Sequence, residues 1–152
     1  MSRFDVTSMR EALAAAIRDR ALRAGFDVYA YLPDSPTVPW VAVVPAPDWL
    51  GYHETFGDRA SGTAEFEVVA TCAYGAEDAQ RKLDAFVSWG DDQPLSLIDA
   101  LEAARDPEGA GALNGAVDDL VVLSARFRDL GVENSPLHQV RIRVQLFPRR
   151  GS

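Results

Sequence analysis

Between Thr63 and Val87 the hydrophobic pattern changes period, and this change constrains the fold more than any other stretch. From Thr63 to Tyr74 (TAEFEVVATCAY) apolar residues fall on every second position: Ala64, Phe66, Val68, Ala70, Cys72 and Tyr74. Thr63, Glu65, Glu67 and Thr71 take the alternate positions, interrupted only by Val69. This predicts a long strand with one buried and one mostly wet face. After Gly75 the pattern becomes helical, with Ala79, Leu83, Phe86 and Val87 on one stripe and Glu77 and Asp78 in the first turn. A strand that feeds an amphipathic helix must lie in a sheet on which that helix packs. The strand is therefore expected at the sheet centre.

The flanking segments supply the other layers. Ser8 and Glu11 have capping-box spacing, with Val6 placed as a staple, and Met9, Leu13, Ala16, Ile17, Arg20, Ala21 and Ala24 follow at helical intervals. Gly25 suits the left-handed residue that ends such a helix. A short strand is predicted in 26–32 and a second in 38–44, where Pro39 confines the paired part to an edge or to a start at Trp40. Residues 48–62 read as an aromatic-rich loop, or a short strand and loop, carrying Trp49, Tyr52, His53 and Phe56. A short helix is expected after Ser96, which has capping spacing to Asp99, and a glycine-rich connection spans 106–115.

Two long strands close the chain. Over 117–129 the expected inward residues are Val121, Leu123, Ala125 and Phe127, with Ser124, Arg126 and Arg128 outward. Over 140–147, Val140, Ile142, Val144 and Leu146 point inward and Arg141, Arg143 and Gln145 outward. The pair is expected to be antiparallel. Lacking a repeated strand–helix–strand rhythm, the chain reads as α+β, a single domain over residues 1–152 with a mainly antiparallel or mixed sheet and helices on one face.

Chemistry-bearing residues are sparse. The lone Cys72 lies on the inward face of the long strand, as a buried small hydrophobe. His53 and His138 fall in predicted loops without a second ligand at metal spacing, and neither HExxH nor CxxC occurs. Asp91-Asp92 and Asp118-Asp119 read as solvated charges, and the glycines of GAGALNG lack the GK[ST] of a phosphate loop. No catalytic, cofactor or metal site is expected. Arg126, Arg128, Arg141 and Arg143 form a basic stripe if the last two strands pair, either as a solvated face or as a subunit interface. The formal net charge of −8 disfavours bulk attraction to nucleic acid or anionic membrane. No apolar run approaches the about 18 residues of a membrane span and no signal-peptide pattern is present, so folding in a reducing cytoplasm is expected.

Several segments together resemble the tail terminator (minor tail, tail-to-head joining) proteins of long-tailed bacteriophages, a family similar to the phage lambda tail terminator. They are REALAAAIRDR, GFDVYAYLPDSPTVPWVAVVPAPDWLGYHETF, FEVVATCAYGAEDAQRKLDAFV, SLIDALEA, GAVDDL and VRIRVQLF. The resemblance implies a mixed α/β fold whose copies form a ring, hexameric in the family. The ring caps the completed tail tube at the head-proximal end of the virion and offers a surface to the head-completion or neck protein. Partners would be further copies of the chain, the tail tube protein and the neck protein, with DNA passing through the lumen without specific binding. Trp49, Tyr52, His53 and Phe56, with Arg126, Arg128, Arg141 and Arg143, become candidate interface residues. The competing readings are a neck protein of the same virion and a small cytoplasmic enzyme or ligand-binding domain built around His53.

Overall fold

The computed structural model describes residues 5–52, 62–73, 77–105, 112–130 and 137–148. In chain order these form α1 (Val6–Arg23), β1 (Asp27–Tyr29), β2 (Trp40–Tyr52), β3 (Gly62–Ala73), α2 (Glu77–Val87), α3 (Leu97–Ala103), a 3-10 turn (Leu113–Gly115), β4 (Val117–Leu130) and β5 (Leu137–Pro148). The strands make one sheet in the order β1-β2-β3-β5-β4. β1 runs parallel to β2, and every other neighbouring pair is antiparallel. The fold is thus α+β with a mixed sheet. β3 lies at its centre, as the period of two over 63–74 predicts.

The helices share one face of the sheet. Met9, Leu13 and Ile17 of α1, Leu83 and Phe86 of α2, and Leu97 and Leu101 of α3 join Phe66, Val68, Ala70 and Cys72 of β3 and Val140, Ile142, Val144 and Leu146 of β5 in one buried cluster. Phe26 meets Phe86 edge to face, with centroids 4.9 Å apart, fixing the end of α1 against α2. Val69, which breaks the alternation of β3, belongs to a small separate cluster with Trp40 and Ala42 on the opposite face. Its exception to the pattern has a packing reason.

Three boundaries differ from the sequence reading. α1 begins earlier, because Asp5 rather than Ser8 is the N-cap. The Asp5 carboxylate accepts from the Ser8 backbone N–H at 3.1 Å and from Ser8 Oγ at 2.8 Å, placing Ser8 inside the first turn. Gly25 takes φ +84° as expected of the residue after the helix. β2 does not stop near Val44 but continues to Tyr52, with a register shift between Pro45 and Leu50. His138 lies in β5 rather than in a loop.

The largest correction concerns β4. Strict alternation placed Val121, Leu123, Ala125 and Phe127 inward, yet Leu123 is 45% and Phe127 48% exposed. Among its described side chains the buried ones are Val117 and Leu120, with Val122 packed on the core. Register shifts between Val117 and Asp119 and between Val122 and Ser124 move the phase within the strand. Beyond the second shift Ala125 and Phe127 do oppose the buried Ile142 and Val140. They share the helix-bearing face but remain exposed.

Candidate interaction surface

The sheet face opposite the helices carries the charged network. Cross-strand register sets Glu67 beside Arg143 and Thr71 beside Gln139, while on the far side of β5 Ser124 opposes Arg143, Arg126 opposes Arg141 and Arg128 opposes Gln139. Pairing alone would put Arg126 against Arg141 unfavourably, since like charges directly opposite repel. Glu67 relieves this contact: its carboxylate lies 3.6 Å from Arg141 Nη1 and 3.9 Å from Arg126 Nη2. Arg141 Nε donates to Gln139 Oε1 at 2.7 Å, and Gln139 Nε2 donates to Thr71 Oγ1 at 2.9 Å. Arg143 donates from Nε and Nη2 to Glu65, the first bond at 2.7 Å. The result is a continuous polar chain from β3 across β5 to β4.

Burial explains why the chain must be connected. The Glu67 side chain is only 6% exposed although it sits on the face read as wet. A carboxylate so placed requires cations close by to offset its desolvation. The glutamates of β3 therefore hold the arginines of β5. Arg126, by contrast, stays 65% exposed. Glu67, Ser124, Arg126, Arg141 and Arg143 border a small cleft of about 130 Å³.

A second ion pair was invisible in the sequence. Arg105 grips Asp119 with two bonds, Nε to Oδ1 at 2.9 Å and Nη2 to Oδ2 at 3.1 Å, and reaches Glu102 at 3.2 Å. Hydrogen bonding to Arg105 holds the Asp119 carboxyl below the ordinary aspartate range. Asp119 is thus a clasp between β4 and the end of α3, not a solvated charge. The two residues are 14 positions apart, so no helical or strand spacing marks them.

The sequence-predicted interface residues divide into groups. Arg126, Arg141 and Arg143 come together, and Arg128 is exposed further along β4. Trp49 and Tyr52 lie in the second half of β2, while His53 and Phe56 fall outside the described residues. His138 stacks on Phe127 at 5.7 Å between ring centroids. Cys72 is fully buried, and burial pushes its thiol up, opposite to the shift that produces a thiolate nucleophile. Among the described residues no group of three or more His, Cys, Asp or Glu is placed to hold a metal. No described helix is long and apolar enough to cross a membrane.

The surface missed by sequence reasoning is apolar. An open groove of about 450 Å³ runs between α2, α3 and β4, lined by Val87, Trp89, Ile98, Val122, Leu123 and Ala125, with Asp99, Glu102 and Ser124 also at its walls. Trp89 is 73% exposed. The consecutive Val121-Val122-Leu123, which no alternating strand accommodates on one face, was the available signal for the irregularity that opens it.

Against known proteins, no family model and no curated protein sequence matches the chain. Its fold is similar to that of a chain in the virion of the native gene transfer agent (GTA) particle, with a TM-score of 0.55 and 18% identity. The match spans 92% of this chain and 93% of the other, so the likeness is one of whole folds.

Proposed function

We propose that this protein is a structural component of a phage-like virion, a tail terminator whose copies form a ring on the end of the completed tail tube. The observation that carries the reading is the nearly full-length fold likeness to a chain of the gene transfer agent virion. The resemblance in sequence to tail terminators supports it independently. Glu65 and Glu67 of β3 tie Arg143 and Arg141 of β5 into ion pairs that brace the sheet, an arrangement suited to holding shape under assembly. A terminator ends polymerisation by offering the tube one complementary face and exposing a different one to further subunits, and that second face would receive the neck protein. The family's ring of six is the stoichiometry proposed, and the net charge of −8 suits a channel that lets DNA pass without holding it.

Within this reading Arg126 and Arg128 are the better contact candidates of the four arginines. Arg141 and Arg143 are committed to Glu67 and Glu65 inside the chain. Reversing Arg141 would set a second carboxylate beside buried Glu67 and damage the fold along with any contact. Trp49, Tyr52, His53 and Phe56 are proposed as further contacts with neighbouring copies or with the tube.

The test is mass by light scattering across a concentration series, with negative-stain images of the protein alone and mixed with its tail tube subunit. Closed rings seated on tube ends are expected. Binding to filled heads without tube-end binding would assign the chain to the neck instead, and a monomer that ignores both would remove the assembly role.

A further inference from the structure

We infer that the second half of β4, residues 123–128, is a docking edge for an extended segment of a partner protein whose alternate residues are apolar and acidic. The inference stands on the geometry of this edge and goes beyond the assembly role proposed above. Three features converge on it.

The first is backbone. β4 is the last strand of the sheet, and among the described residues only β5 pairs with its second half. Beyond the register shift between Val122 and Ser124 the pairing with β5 is regular, so the outer N–H and C=O groups of this stretch face no described strand and can accept another. The other side of the sheet is less receptive. β1 covers only Trp40–Ala42 of β2, and the stretch beyond carries Pro45 and Pro47, which have no N–H to give. β4 contains no proline.

The second is the helix-bearing side. Leu123 and Ala125 border the apolar groove beneath this edge, with Trp89, Val87 and Ile98 across from them. A strand added to β4 would direct every second side chain toward that groove. Asp99 and Glu102 at its walls disfavour an acid there and select apolar side chains.

The third is charge on the opposite side. Arg126 and Arg128 are exposed and share the outer face, so the other side chains of the incoming strand meet two cations. Acidic residues fit. Pairing with β4 of a second copy would instead bring arginines toward arginines, which disfavours the symmetrical dimer that an open edge otherwise invites.

The probe is a synthetic peptide of about nine residues alternating leucine with glutamate, long enough at roughly 3.4 Å per residue to span the edge. Controls are the leucine–lysine counterpart and a peptide of the same composition in scrambled order. Binding is read from the fluorescence of Trp89, with Trp89→Phe to identify its contribution. The glutamate peptide is expected to bind and shift Trp89 emission to the blue, with the lysine and scrambled peptides weaker by about tenfold or more. N-methylation at alternate residues should abolish binding in one phase only, as strand pairing requires. Arg128→Glu should narrow or reverse the preference between the two charged peptides while leaving the circular dichroism spectrum unchanged, and Leu123→Asp should weaken the glutamate peptide. Equal binding of the charged or scrambled peptides, absence of binding, or indifference to N-methylation in both phases would overturn the proposal. So would a dimer of the free protein lost on Leu123→Asp, because the edge would then belong to a second copy.

Discussion

The two halves of β4 continue one strand beside one partner, yet they have different surroundings. In the first half Val117 and Leu120 are buried, Val122 packs on the core, and Asp119 is clasped by Arg105. In the second half Leu123 and Phe127 are each nearly half exposed, although Ala125 and Phe127 oppose the buried Ile142 and Val140 of β5. Pairing is the same; the helix layer is not. Alternation assigns a residue to a face of a sheet, but burial also requires another element over that face. The contrast separates what holds the fold from what is available for contact.

The sharpest way to break the comparison is to truncate each half in turn. Leu120→Ala should cost about 2–5 kcal/mol in urea unfolding, because a fully buried leucine leaves a cavity behind. Glu67→Ala, on the other face, should cost roughly 2 kcal/mol. That is less than the about 3–5 kcal/mol of a fully buried pair, because Arg126 can take water when its partner is removed. Measuring Glu67→Ala together with Arg126→Ala in a double-mutant cycle would isolate the coupling between β3 and β4.

A smaller effect distinguishes the clasp by its pH dependence. The folded-state pKa of Asp119 is depressed, so the stability from its pair with Arg105 is present above the unfolded value of about 3.9 and is lost as pH falls through the folded value. Asp119→Asn should therefore lower stability at neutral pH and flatten the acid limb of the stability profile. An unchanged acid limb would show that the clasp contributes nothing. The smallest effect belongs to the second half of β4: Leu123→Ser should change the urea midpoint by an amount equivalent to about 0.5 kcal/mol or less. A cost comparable with that of Leu120→Ala would mean that this half is covered after all.

Much of the fold was legible because its signals are periodic. The change of pattern between Thr63 and Val87 placed β3 and α2, and the clean alternation of Val140, Ile142, Val144 and Leu146 placed β5. Ser96 capped α3 as its spacing to Asp99 predicts. Asp5 was missed as the cap of α1 because Ser8 and Glu11 offer a competing pattern one turn later, and capping residues alone do not choose between adjacent turns. The surface was less readable for a different reason. Glu67 and its arginines lie on three strands whose order no local spacing encodes, and Arg105 meets Asp119 only after α3 and β4 have packed. The arginine stripe is visible in the sequence; the alternation of β3 shows its glutamates only as residues of a mostly wet face.

Hydrogen exchange along β4, measured on the free protein and on the protein bound to the leucine–glutamate peptide, tests the distinction between the two halves most directly. The account predicts strong protection through Leu120 and Val122 in both states. The outward amides of residues 123–128 should exchange fast in the free protein and slowly once the peptide is bound. Uniform protection along β4 in the free protein, or an edge that exchanges equally fast with the peptide bound, would contradict it.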